Sequence, residues 1–328
     1  MRAFVTGGTG FLGKRIVRRL IERGDEVVVL ARDRERAAEA AGLGAEIVIG
    51  DLESVDGFAH ALEGCDVVYH AGARVVSHGD WDLFLKANVI ATERLIDLAI
   101  DAGARRFVYV SSLGIFEIDR DGQVVDEDSD YDHNPMLRGH YTRSKIDADR
   151  VACAAARAGK PVAIVRPGRI YGPDHPQQPL FYGRVKKRIG SWLVVVSKPS
   201  YLTPISYVEN AADAVVAAGA AEDADGKIFN VVDDPDLTQR RYFQAVCGKN
   251  GCPSHVLYLP VGLFVPAVVA VDFAHRLLKR RPWSVGYQLR RSGRSTRYPN
   301  DSARQQLGWE PRFDLDQAVA DTVGMPVT

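Results

Sequence analysis

The sequence predicts an α/β protein, a doubly wound parallel sheet followed by a smaller, mixed C-terminal lobe. Up to about residue 172, short runs rich in Val and Ile alternate with helical patterns. This alternation is typical of a parallel sheet with helices on both faces. After residue 172 the rhythm breaks, and prolines cluster in YGPDHPQQP (171–179). We therefore predict one domain over 1–172 and a lobe over 173–328, with some elements of the lobe returning to the sheet.

Each predicted element rests on its own apolar pattern. Continuous apolar runs predict strands at AFVTG (3–7), EVVVLAR (26–32), AEIVIGDL (45–52), DVVYHAGA (66–73), RFVYVSS (106–112) and PVAIVRPG (161–168). Apolar residues three and four apart predict helices at 10–24, 82–103, 141–159 and 207–221. Gly24 ends the first helix. The polar residues 117–132 predict a solvated loop.

Composition and charge exclude several classes of protein. Of 328 residues, 46% are hydrophobic, which supports a sizeable core and argues against disorder. Lys plus Arg and Asp plus Glu both total 42, so no nucleic-acid partner is expected. The cysteines are few and scattered, so we expect no metal site and a thiol-reducing, cytoplasmic location. The sequence enters its first strand at once, so we expect no signal peptide, which agrees with that location. The cysteines are Cys65, Cys153, Cys247 and Cys252.

The segment 257–278 is strongly apolar and is followed by the basic KRRP. A membrane-spanning helix needs about 20 nearly uninterrupted apolar residues, whereas Pro260, Pro266 and Asp272 interrupt this run. We interpret it as a helix that covers a substrate pocket. Contact of this segment with a membrane surface is the alternative.

A glycine-rich loop joins the first strand to the first helix. Gly7, Gly10 and Gly13 in VTGGTGFLG follow a G-x-x-G-x-x-G spacing. Glycine lets the backbone approach a pyrophosphate, and the helix N-terminus supplies free N–H groups. The position of the loop between a strand and a helix predicts a dinucleotide-binding Rossmann domain over 1–172. The loop residues Thr9, Phe11 and Leu12 are candidate cofactor contacts.

The end of the second strand bears on the choice of cofactor. An acid there commonly binds the ribose of NAD, but this chain has Ala31 and Arg32. An Arg can pair with the 2′-phosphate of NADP, and Asp33 more simply starts the next helix. We therefore predict NADP, with NAD as the alternative. The competing interpretation of Arg32 is a solvated loop charge.

Later strand ends supply further cofactor candidates. Asp51 and Leu52 could hydrogen-bond and wall the adenine, although Asp51 could instead cap the following helix. The small residues Ala71, Gly72 and Ala73 would let the backbone pass close to the cofactor. His70 alone is typical of a core histidine.

In this order the motifs resemble those of the extended short-chain dehydrogenases/reductases, the NAD-dependent epimerase/dehydratase superfamily. The matching pieces are TGGTGFLG, GDL, HAGA, ANVIAT, VSS, YTRSK and RPGRIYGP, across roughly residues 1–175. The resemblance implies that Tyr141 donates or accepts the proton and Lys145 holds the cofactor ribose. It further implies that Ser112 binds the substrate oxygen and Asn88 supports a helix kink or water relay. The cofactor residues that it implies near the later strand ends are Ser111, Pro167, Gly168 and Ile170.

Two details of this site follow from the residues. A free tyrosine titrates near pH 10, and a nearby ammonium together with a positively charged nicotinamide would lower that pKa toward the working range. Ser111 and Ser112 are adjacent on a strand and face opposite ways, so Ser111 is the rival for the serine role.

The resemblance leaves two kinds of reaction. Epimerases and dehydratases keep NAD bound, whereas reductases and dehydrogenases release the cofactor at each turnover. Three features favour the second group. They are Arg32, the motif SYVEN (206–210), and the presence of Thr203 and Pro204 where the sugar-nucleotide enzymes commonly have an Arg. SYVEN resembles the 3β-hydroxysteroid dehydrogenase-like branch, which includes 2-alkyl-3-oxoalkanoate reductases. We predict an NADP-preferring oxidoreductase acting on a hydrophobic 3-hydroxy or 3-keto substrate. The alternatives are a nucleotide-sugar epimerase/dehydratase with tightly bound NAD and a non-catalytic NADP-sensing protein.

Position along the chain suggests a substrate lining of Trp81, Arg169 and His175. The resemblance also implies a homodimer, for which the apolar faces of 84–100 and 145–158 could serve.

Overall fold

The computed structural model describes residues 1–75, 80–175, 180, 186–277 and 284–324. Its strands are β1 Arg2–Thr6, β2 Glu26–Ala31, β3 Glu46–Ile49, β4 Val67–His70, β5 Arg106–Val110, β6 Gln123–Val124, β7 Val162–Pro167, β8 Arg169–Tyr171, β9 Lys186–Ile189, β10 Trp192–Val196, β11 Ile205–Tyr207, β12 Ile228–Val231, β13 His255–Leu259 and β14 Thr296–Arg297. Its α-helices are α1 Phe11–Glu22, α2 Ala38–Gly42, α3 Trp81–Phe84, α4 Ala91–Asp101, α5 His140–Arg157, α6 Val208–Ala220, α7 Gln239–Val246, α8 Val265–Leu277, α9 Val285–Ser292, α10 Asp301–Leu307 and α11 Leu315–Thr322. Short 3₁₀ segments lie at Leu52–Leu62, Leu113–Ile115, Pro135–Arg138 and Val261–Phe264.

Seven parallel strands form the central sheet in the order β12-β7-β5-β4-β1-β2-β3. From β1 the chain winds first to one edge and then, from β4, to the other. The point where the direction reverses leaves a crevice at the carboxyl ends of the strands, where ligands bind in such sheets. The predicted doubly wound fold is confirmed. Most predicted strands extend past the observed ends, because their last residues leave the sheet to form loops at this edge.

Alternating side chains of each strand build the two cores. In β1, Ala3 and Val5 face one layer, while Phe4 faces the other. The first layer contains α1 and α6, and the second contains α4, α5 and the 3₁₀ segment Leu52–Leu62. Helices on both faces explain why the strands are apolar on both sides.

Elements from after residue 172 return to the central sheet. β12 pairs with β7, and α6 packs against α1. The remaining C-terminal strands form small sheets, β13-β10-β9 and β11-β8, while β14 pairs with β6. The smaller lobe is therefore interleaved with the first domain, and the division at residue 172 stays a prediction.

Two expectations about loops and helices are wrong. Residues 117–132 are not simply solvated, because Asp132 is buried and β6 pairs with β14. Segment 257–278 is not one helix, since it completes β13, turns at Pro260 and forms Val261–Phe264 before α8. Among the described residues no helix is long and apolar enough to cross a membrane.

One buried carboxyl group next to the sheet couples stability to pH. Asp233 follows β12 and accepts a hydrogen bond from the Tyr207 amide at 2.7 Å. Burial raises the pKa of Asp233 to about 7, whereas an Asp in an unfolded chain titrates near pH 4. Between these values the folded protein holds a proton that the unfolded chain has released. The unfolding free energy therefore falls as the pH rises, by on the order of 1 kcal/mol per pH unit.

Asp233→Asn should remove this pH dependence, because an amide oxygen can still accept the Tyr207 N–H but does not ionise. The Tm of the variant minus the Tm of the wild type should increase from pH 5 to pH 8, as measured by thermal unfolding. The control is Asp223→Asn at an exposed position. A Tm difference that is the same at both pH values would contradict the prediction.

Candidate active site

The glycine loop comes close to the neighbouring strand end. Gly7 has a φ of +71°, and a Cβ there would lie 2.6 Å from the Gly72 nitrogen. A Cβ on Gly13 would lie 2.0 Å from the Gly7 oxygen. Gly10 donates to that oxygen at 2.8 Å and precedes α1, which begins without a side-chain cap. The first N–H groups of α1 are thus available to an anion such as a pyrophosphate.

A buried hydrogen-bond chain ties this loop to the next strand. Thr92 donates to the Asn88 carbonyl at 2.6 Å, so its hydroxyl oxygen accepts from His70 Nε2–H at 3.0 Å. His70 Nδ1 then accepts from the Thr6 hydroxyl at 2.6 Å, and Thr6 Oγ1 accepts from the Gly72 amide at 3.2 Å. Burial lowers the pKa of His70 to about 3. His70 is therefore a neutral core histidine, as expected, and it helps to fix the loop.

The ends of β2 and β3 place the predicted adenosine contacts. Arg32 is exposed directly after β2. Asp33 accepts from the Arg36 amide at 2.8 Å and pairs with its guanidinium at 3.3 Å, so it stabilises the turn after Arg32. Asp51 Oδ1 accepts from the Glu53 amide at 2.9 Å. The alternative interpretation of Asp51 as a helix cap is thus realised for one of its oxygens.

The loop after β4 lies beside the glycine loop. A Cβ on Gly72 would lie 2.9 Å from both Leu52 Cδ1 and Thr6 Oγ1. Ala71 and Ala73 flank this glycine and are half-buried. The predicted contacts after β1, β3 and β4 are therefore brought together at one edge of the sheet.

The catalytic candidates lie at the start of α5. Gly139 precedes the helix with a φ of +100°, which turns the chain so that Tyr141 and Lys145 occupy its first turns. Lys145 Nζ donates to the Val110 carbonyl at 2.8 Å and to the Tyr109 hydroxyl at 3.0 Å. Lys145 therefore reaches the carboxyl end of β5, immediately before the two candidate serines.

A buried ion pair lies one helical turn beyond Lys145. Arg166 of β7 donates to both carboxylate oxygens of Asp149, at 2.6 and 3.1 Å, and Tyr131 donates to Asp149 at 2.8 Å. Burial raises the pKa of Asp149, but the charge and hydrogen bonds of Arg166 outweigh this and hold it below its usual value. Burial lowers the pKa of Lys145 to about 8, and the Asp149 carboxylate opposes that shift.

The two serines after β5 differ in exposure. Ser111 is buried, and its hydroxyl helps Arg166 to lower the pKa of Asp149. Ser112 is partly exposed, and its Oγ accepts from the Gly114 amide at 3.0 Å. Because Ser111 faces the ion pair, Ser112 is the better placed to meet a substrate.

An arginine fixes the turn that holds Ser112. Arg138 donates to the Gly114 carbonyl and, at 3.1 Å, to the buried carboxylate of Asp132. The same carboxylate accepts from the Tyr287 hydroxyl of α9 at 2.6 Å. A helix near the end of the chain is thus linked through two charged side chains to the serine.

Asn88 lies in a π-helical turn, Leu85–Ile90, which divides the helix predicted over 82–103. Its Nδ2 donates to the Ser144 hydroxyl at 2.8 Å and to the Arg74 carbonyl at 3.1 Å, and its Oδ1 accepts from the Arg74 amide at 2.7 Å. These bonds join the loop after β4 to α5. Asn88 therefore lies at a helix irregularity, and its two expected roles stay predictions.

The lowering of the Tyr141 pKa, expected from Lys145 together with a bound nicotinamide, is not present in the protein without cofactor. Burial raises the pKa of Tyr141 above that of free tyrosine. The Lys145 ammonium is instead engaged by Val110 and Tyr109. Tyr141 thus keeps its proton at neutral pH.

The substrate candidates fall into two places. The ring of Trp81 lies 3.8 Å from the Arg143 guanidinium and 5.8 Å from the His140 ring. Because His140 and Arg143 flank Tyr141 in α5, Trp81 lies near the start of that helix. The His175 ring lies 4.7 Å from that of Phe11 in the glycine loop. Burial lowers the pKa of His175 and the charge of Arg169 lowers it further, which places these two side chains near each other.

The residues after β7 complete this edge. The Gly168 amide donates to the Val231 carbonyl at 2.8 Å, and a Cβ on Gly168 would lie 2.8 Å from the Pro204 oxygen. Pro167 ends β7, and Ile170 pairs with Ser206 in the small β8-β11 sheet.

Sequence reasoning missed the Asp149–Arg166 pair and the Arg138–Asp132 clamp. A usable signal for the first was spacing, since Asp149 follows Lys145 by four residues and lies on the same helix face. The second joins residues that pattern alone does not connect to the distant α9.

The arrangement fits a dinucleotide with a nicotinamide. Gly7 and Gly13 let the loop pack tightly against Gly72 and against itself, because a Cβ at either position would collide with backbone, and α1 presents its uncapped N-terminus beside this loop. Lys145, Tyr141 and Ser112 lie farther along the same edge of the sheet. These residues could hold the ribose, move a proton and bind a substrate oxygen.

Comparison with known proteins agrees with this geometry. Residues 3–231 match the model of the NAD dependent epimerase/dehydratase family. A 4-hydroxy-2-methyl-3-oxo-4-farnesyl-3,4-dihydroquinoline-1-oxide ketoreductase from Stigmatella aurantiaca is 28% identical, over 97% of this chain and 95% of its own. A 2-alkyl-3-oxoalkanoate reductase from Shewanella oneidensis is 27% identical, over 97% and 84%. A decarboxylating sterol-4-alpha-carboxylate 3-dehydrogenase from Dictyostelium discoideum is 25% identical, over 96% and 98%.

Solved structures share the fold along the whole chain. The crystal structure of gox2253 has a TM-score of 0.76 and 25% identity, and the match covers 98% of this chain and 96% of that one. A UDP-glucose 4-epimerase from Thermotoga maritima has a TM-score of 0.73 at 20% identity, with 98% and 97% covered, which shows the fold alone. The chain therefore belongs to the NAD dependent epimerase/dehydratase family and is an NAD(P)-dependent oxidoreductase of the extended short-chain dehydrogenase/reductase type.

Proposed function

We propose that the protein is an NADP-preferring reductase that interconverts a ketone and a hydroxyl group on a hydrophobic 3-keto or 3-hydroxy substrate. The observation that carries the proposal is the anchoring of Lys145 on the Val110 carbonyl. It holds Lys145 at the carboxyl end of β5, directly before Ser111 and Ser112, which supports a site made of Tyr141, Lys145 and Ser112.

The roles of the three side chains follow from their chemistry. NADPH, when bound, supplies the hydride for the substrate carbon. Tyr141 gives its proton to the substrate oxygen, and Ser112 holds that oxygen by a hydrogen bond. Lys145 keeps a positive charge below about pH 8 and grips the cofactor ribose.

Two features support NADP over NAD. Arg32 is exposed at the end of β2, where its guanidinium can pair bidentately with a 2′-phosphate. The nearest acid, Asp33, is engaged by Arg36 and does not take the place of a ribose-binding carboxylate.

The names of the relatives support a hydrophobic substrate. They include a ketoreductase of a farnesylated ring, a reductase of alkyl oxoalkanoates and a dehydrogenase of sterol carboxylates. At the place where sugar-nucleotide enzymes of this kind carry an Arg, this chain has the buried Thr203 and then Pro204, whose carbonyl accepts from the Arg169 amide at 3.0 Å.

The deciding experiment is to purify the protein without added nucleotide, denature it and identify what is released. We expect an empty protein that binds NADPH more tightly than NADH and reduces a long-chain 3-oxo ester. Near-stoichiometric NAD in the released material would instead favour the epimerase/dehydratase alternative, in which the hydride returns to the same sugar.

Replacing Tyr141 by Phe removes only the hydroxyl group that would move the proton. General acid–base catalysis typically contributes about 10²–10⁴ in rate, so we expect kcat to fall by at least about 100-fold. The Kd for NADPH, measured by fluorescence titration, should change little. The control is Tyr201→Phe, which removes a tyrosine hydroxyl outside the site that donates to Asp121 at 3.2 Å. Near-normal kcat in Tyr141→Phe would refute the assigned role.

Arg32→Asp should weaken NADPH binding far more than NADH binding, because it replaces a phosphate partner by a group that repels phosphate. A charge-assisted hydrogen bond contributes roughly 1.5–3 kcal/mol, so the Kd for NADPH should rise by at least about tenfold. The control is Arg157→Asp, which makes the same change at an exposed residue at the C-terminal end of α5. An equal loss of both cofactors would contradict the phosphate interaction.

Asp149→Asn tests how the buried ion pair acts on Lys145. Without the carboxylate the pKa of Lys145 should fall below its value of about 8, so the ammonium would lose its charge at lower pH. The loss of activity on the alkaline side of the kcat/KM profile should then begin at lower pH.

Asp149→Glu keeps the charge and should largely restore the alkaline limb. A purely structural role predicts a different result, a lower Tm for Asp149→Asn with the pH profile unmoved. Asp149→Asn should lower the Tm whichever role Asp149 has, because Arg166 is then left as a buried charge without its partner.

A further inference from the structure

Two neighbouring residues of β5 hold the ammonium group of Lys145. Its Nζ donates to the Val110 carbonyl at 2.8 Å and to the Tyr109 hydroxyl at 3.0 Å. Val110 contributes a main-chain carbonyl that any residue would supply, whereas the phenol depends on Tyr109 itself. In the part of the chain that the structure describes, Tyr109 is the side chain that hydrogen-bonds to Lys145.

The Tyr109 side chain has little freedom to move. It lies in the middle of the central sheet, where it pairs with His70 of β4 and Ile164 of β7. Its exposed fraction is 2%, and it packs in the core layer that contains Ala148 of α5. The hydroxyl therefore presents a fixed acceptor to the helix that carries Lys145.

The oxygen of Tyr109 makes the closer contact, and the ring makes a weaker one. The ammonium lies 3.0 Å from the hydroxyl oxygen and 4.6 Å from the ring centroid. A cation–π contact would remain if the oxygen were removed. A phenylalanine at this position would therefore separate the hydrogen bond from the ring contact.

Tyr109 accepts this hydrogen bond as a neutral phenol. Burial raises the pKa of Tyr109 well above its ordinary value, and the negative charge of Asp149 raises it further. The phenol thus keeps its proton at any working pH and does not carry protons to or from Lys145. Its effect on the reaction can only be to place and stabilise the ammonium.

The ammonium needs such acceptors because it has lost most of its contact with water. Lys145 is buried, and burial of a charge is costly unless hydrogen bonds replace those of the solvent. Burial lowers the pKa of Lys145 to about 8, and the Asp149 carboxylate opposes that shift. A hydrogen bond to the charged form opposes it as well.

The other ionisable groups around Lys145 come from α5, β4 and β7. His70 is neutral, because burial lowers its pKa to about 3 and the charge of Lys145 also lowers it. Tyr141 is neutral too, since burial raises its pKa. Asp149 and Arg166 are charged and bind each other at 2.6 Å. The direct hydrogen bonds of the ammonium are therefore the two to β5.

We propose that Tyr109 is a positioning residue for the reaction: its hydroxyl and the Val110 carbonyl take two of the three N–H donors of Lys145 and direct the third toward the cofactor ribose. An ammonium has three donors and no acceptor, so fixing two of them fixes the direction of the last. Tyr109 acts through Lys145, so its role rests on the proposed function, in which Lys145 grips the ribose.

The test is Tyr109→Phe, which keeps the ring and removes the oxygen. The charged form of Lys145 loses a hydrogen bond, so the pKa of Lys145 should fall by at least about 0.5 unit. NMR of the cofactor-free protein with isotope-labelled lysine would measure this pKa, with Lys145→Arg to assign the signal. The alkaline limb of the kcat/KM profile should move to lower pH by a similar amount.

A second measurement separates direction from charge. At pH 6 the Lys145 ammonium is charged in both proteins. The Kd of Tyr109→Phe for NADPH should still be at least about threefold higher than that of the wild type, because the third N–H is no longer aimed at the ribose. Circular dichroism would verify that the variant is folded.

The matched control is Tyr69→Phe. Tyr69 is a fully buried tyrosine of β4 that faces the opposite core layer, and its hydroxyl donates to the Val216 carbonyl at 3.5 Å. The control also loses a buried hydroxyl, but the pKa of Lys145, the alkaline limb and the Kd for NADPH should stay as in the wild type.

An unchanged pKa of Lys145 in Tyr109→Phe would overturn the positioning role, and so would an alkaline limb or a Kd equal to that of Tyr69→Phe. Failure of the proposed function would show itself without these variants. The wild type would then reduce no 3-oxo substrate, or Lys145→Met would keep full activity, and the role of Tyr109 would fall with it.

Discussion

The buried ion pair between Asp149 and Arg166 is the interaction on which the geometry of the site depends. It joins α5 to β7 and leaves the helix little freedom to slide or rotate against the sheet. Lys145 lies one turn away on the same helix and donates to the Val110 carbonyl, so the pair that fixes the helix also fixes the position of Lys145. A buried pair of this kind contributes little net stability, so its value here lies in position. It also sets the charge around Lys145, because the carboxylate opposes the loss of the proton that burial favours.

A second polar connection reaches the site from the opposite end of the chain. Tyr287 binds Asp132, Asp132 binds Arg138, and Arg138 holds the Gly114 carbonyl in the turn that orients Ser112. The start of α9 is in turn bound by Asp272 of α8. A chain of side-chain hydrogen bonds therefore connects α8 to the turn that holds Ser112, although the two are far apart in the sequence.

The sequence allowed the central sheet and the glycine loop to be predicted, because each depends on local pattern. Apolar strands and the spacing of Gly7, Gly10 and Gly13 carry their own signal. The strands were predicted too long at their carboxyl ends, where residues such as Gly72 and Ser112 leave the sheet to form the site. The loop 117–132 could not be read correctly, since its acids find partners in α9 that no local pattern links to it. The π-turn around Asn88 was equally hidden, because its sequence continues a normal helical pattern.

The protonation states of the site bear on the direction of the proposed reaction. Burial raises the pKa of Tyr141, so in the protein itself the phenol carries its proton at neutral pH. A protonated phenol can give a proton to the oxygen of a ketone as hydride arrives at carbon, whereas oxidation of an alcohol first requires the phenolate. Lys145, with a pKa of about 8, remains mostly charged at neutral pH and can hold the ribose in that state. Without cofactor, Tyr141 is thus in the protonation state that reduction requires, and oxidation would depend on the positive charge of the oxidised nicotinamide to lower the pKa of Tyr141.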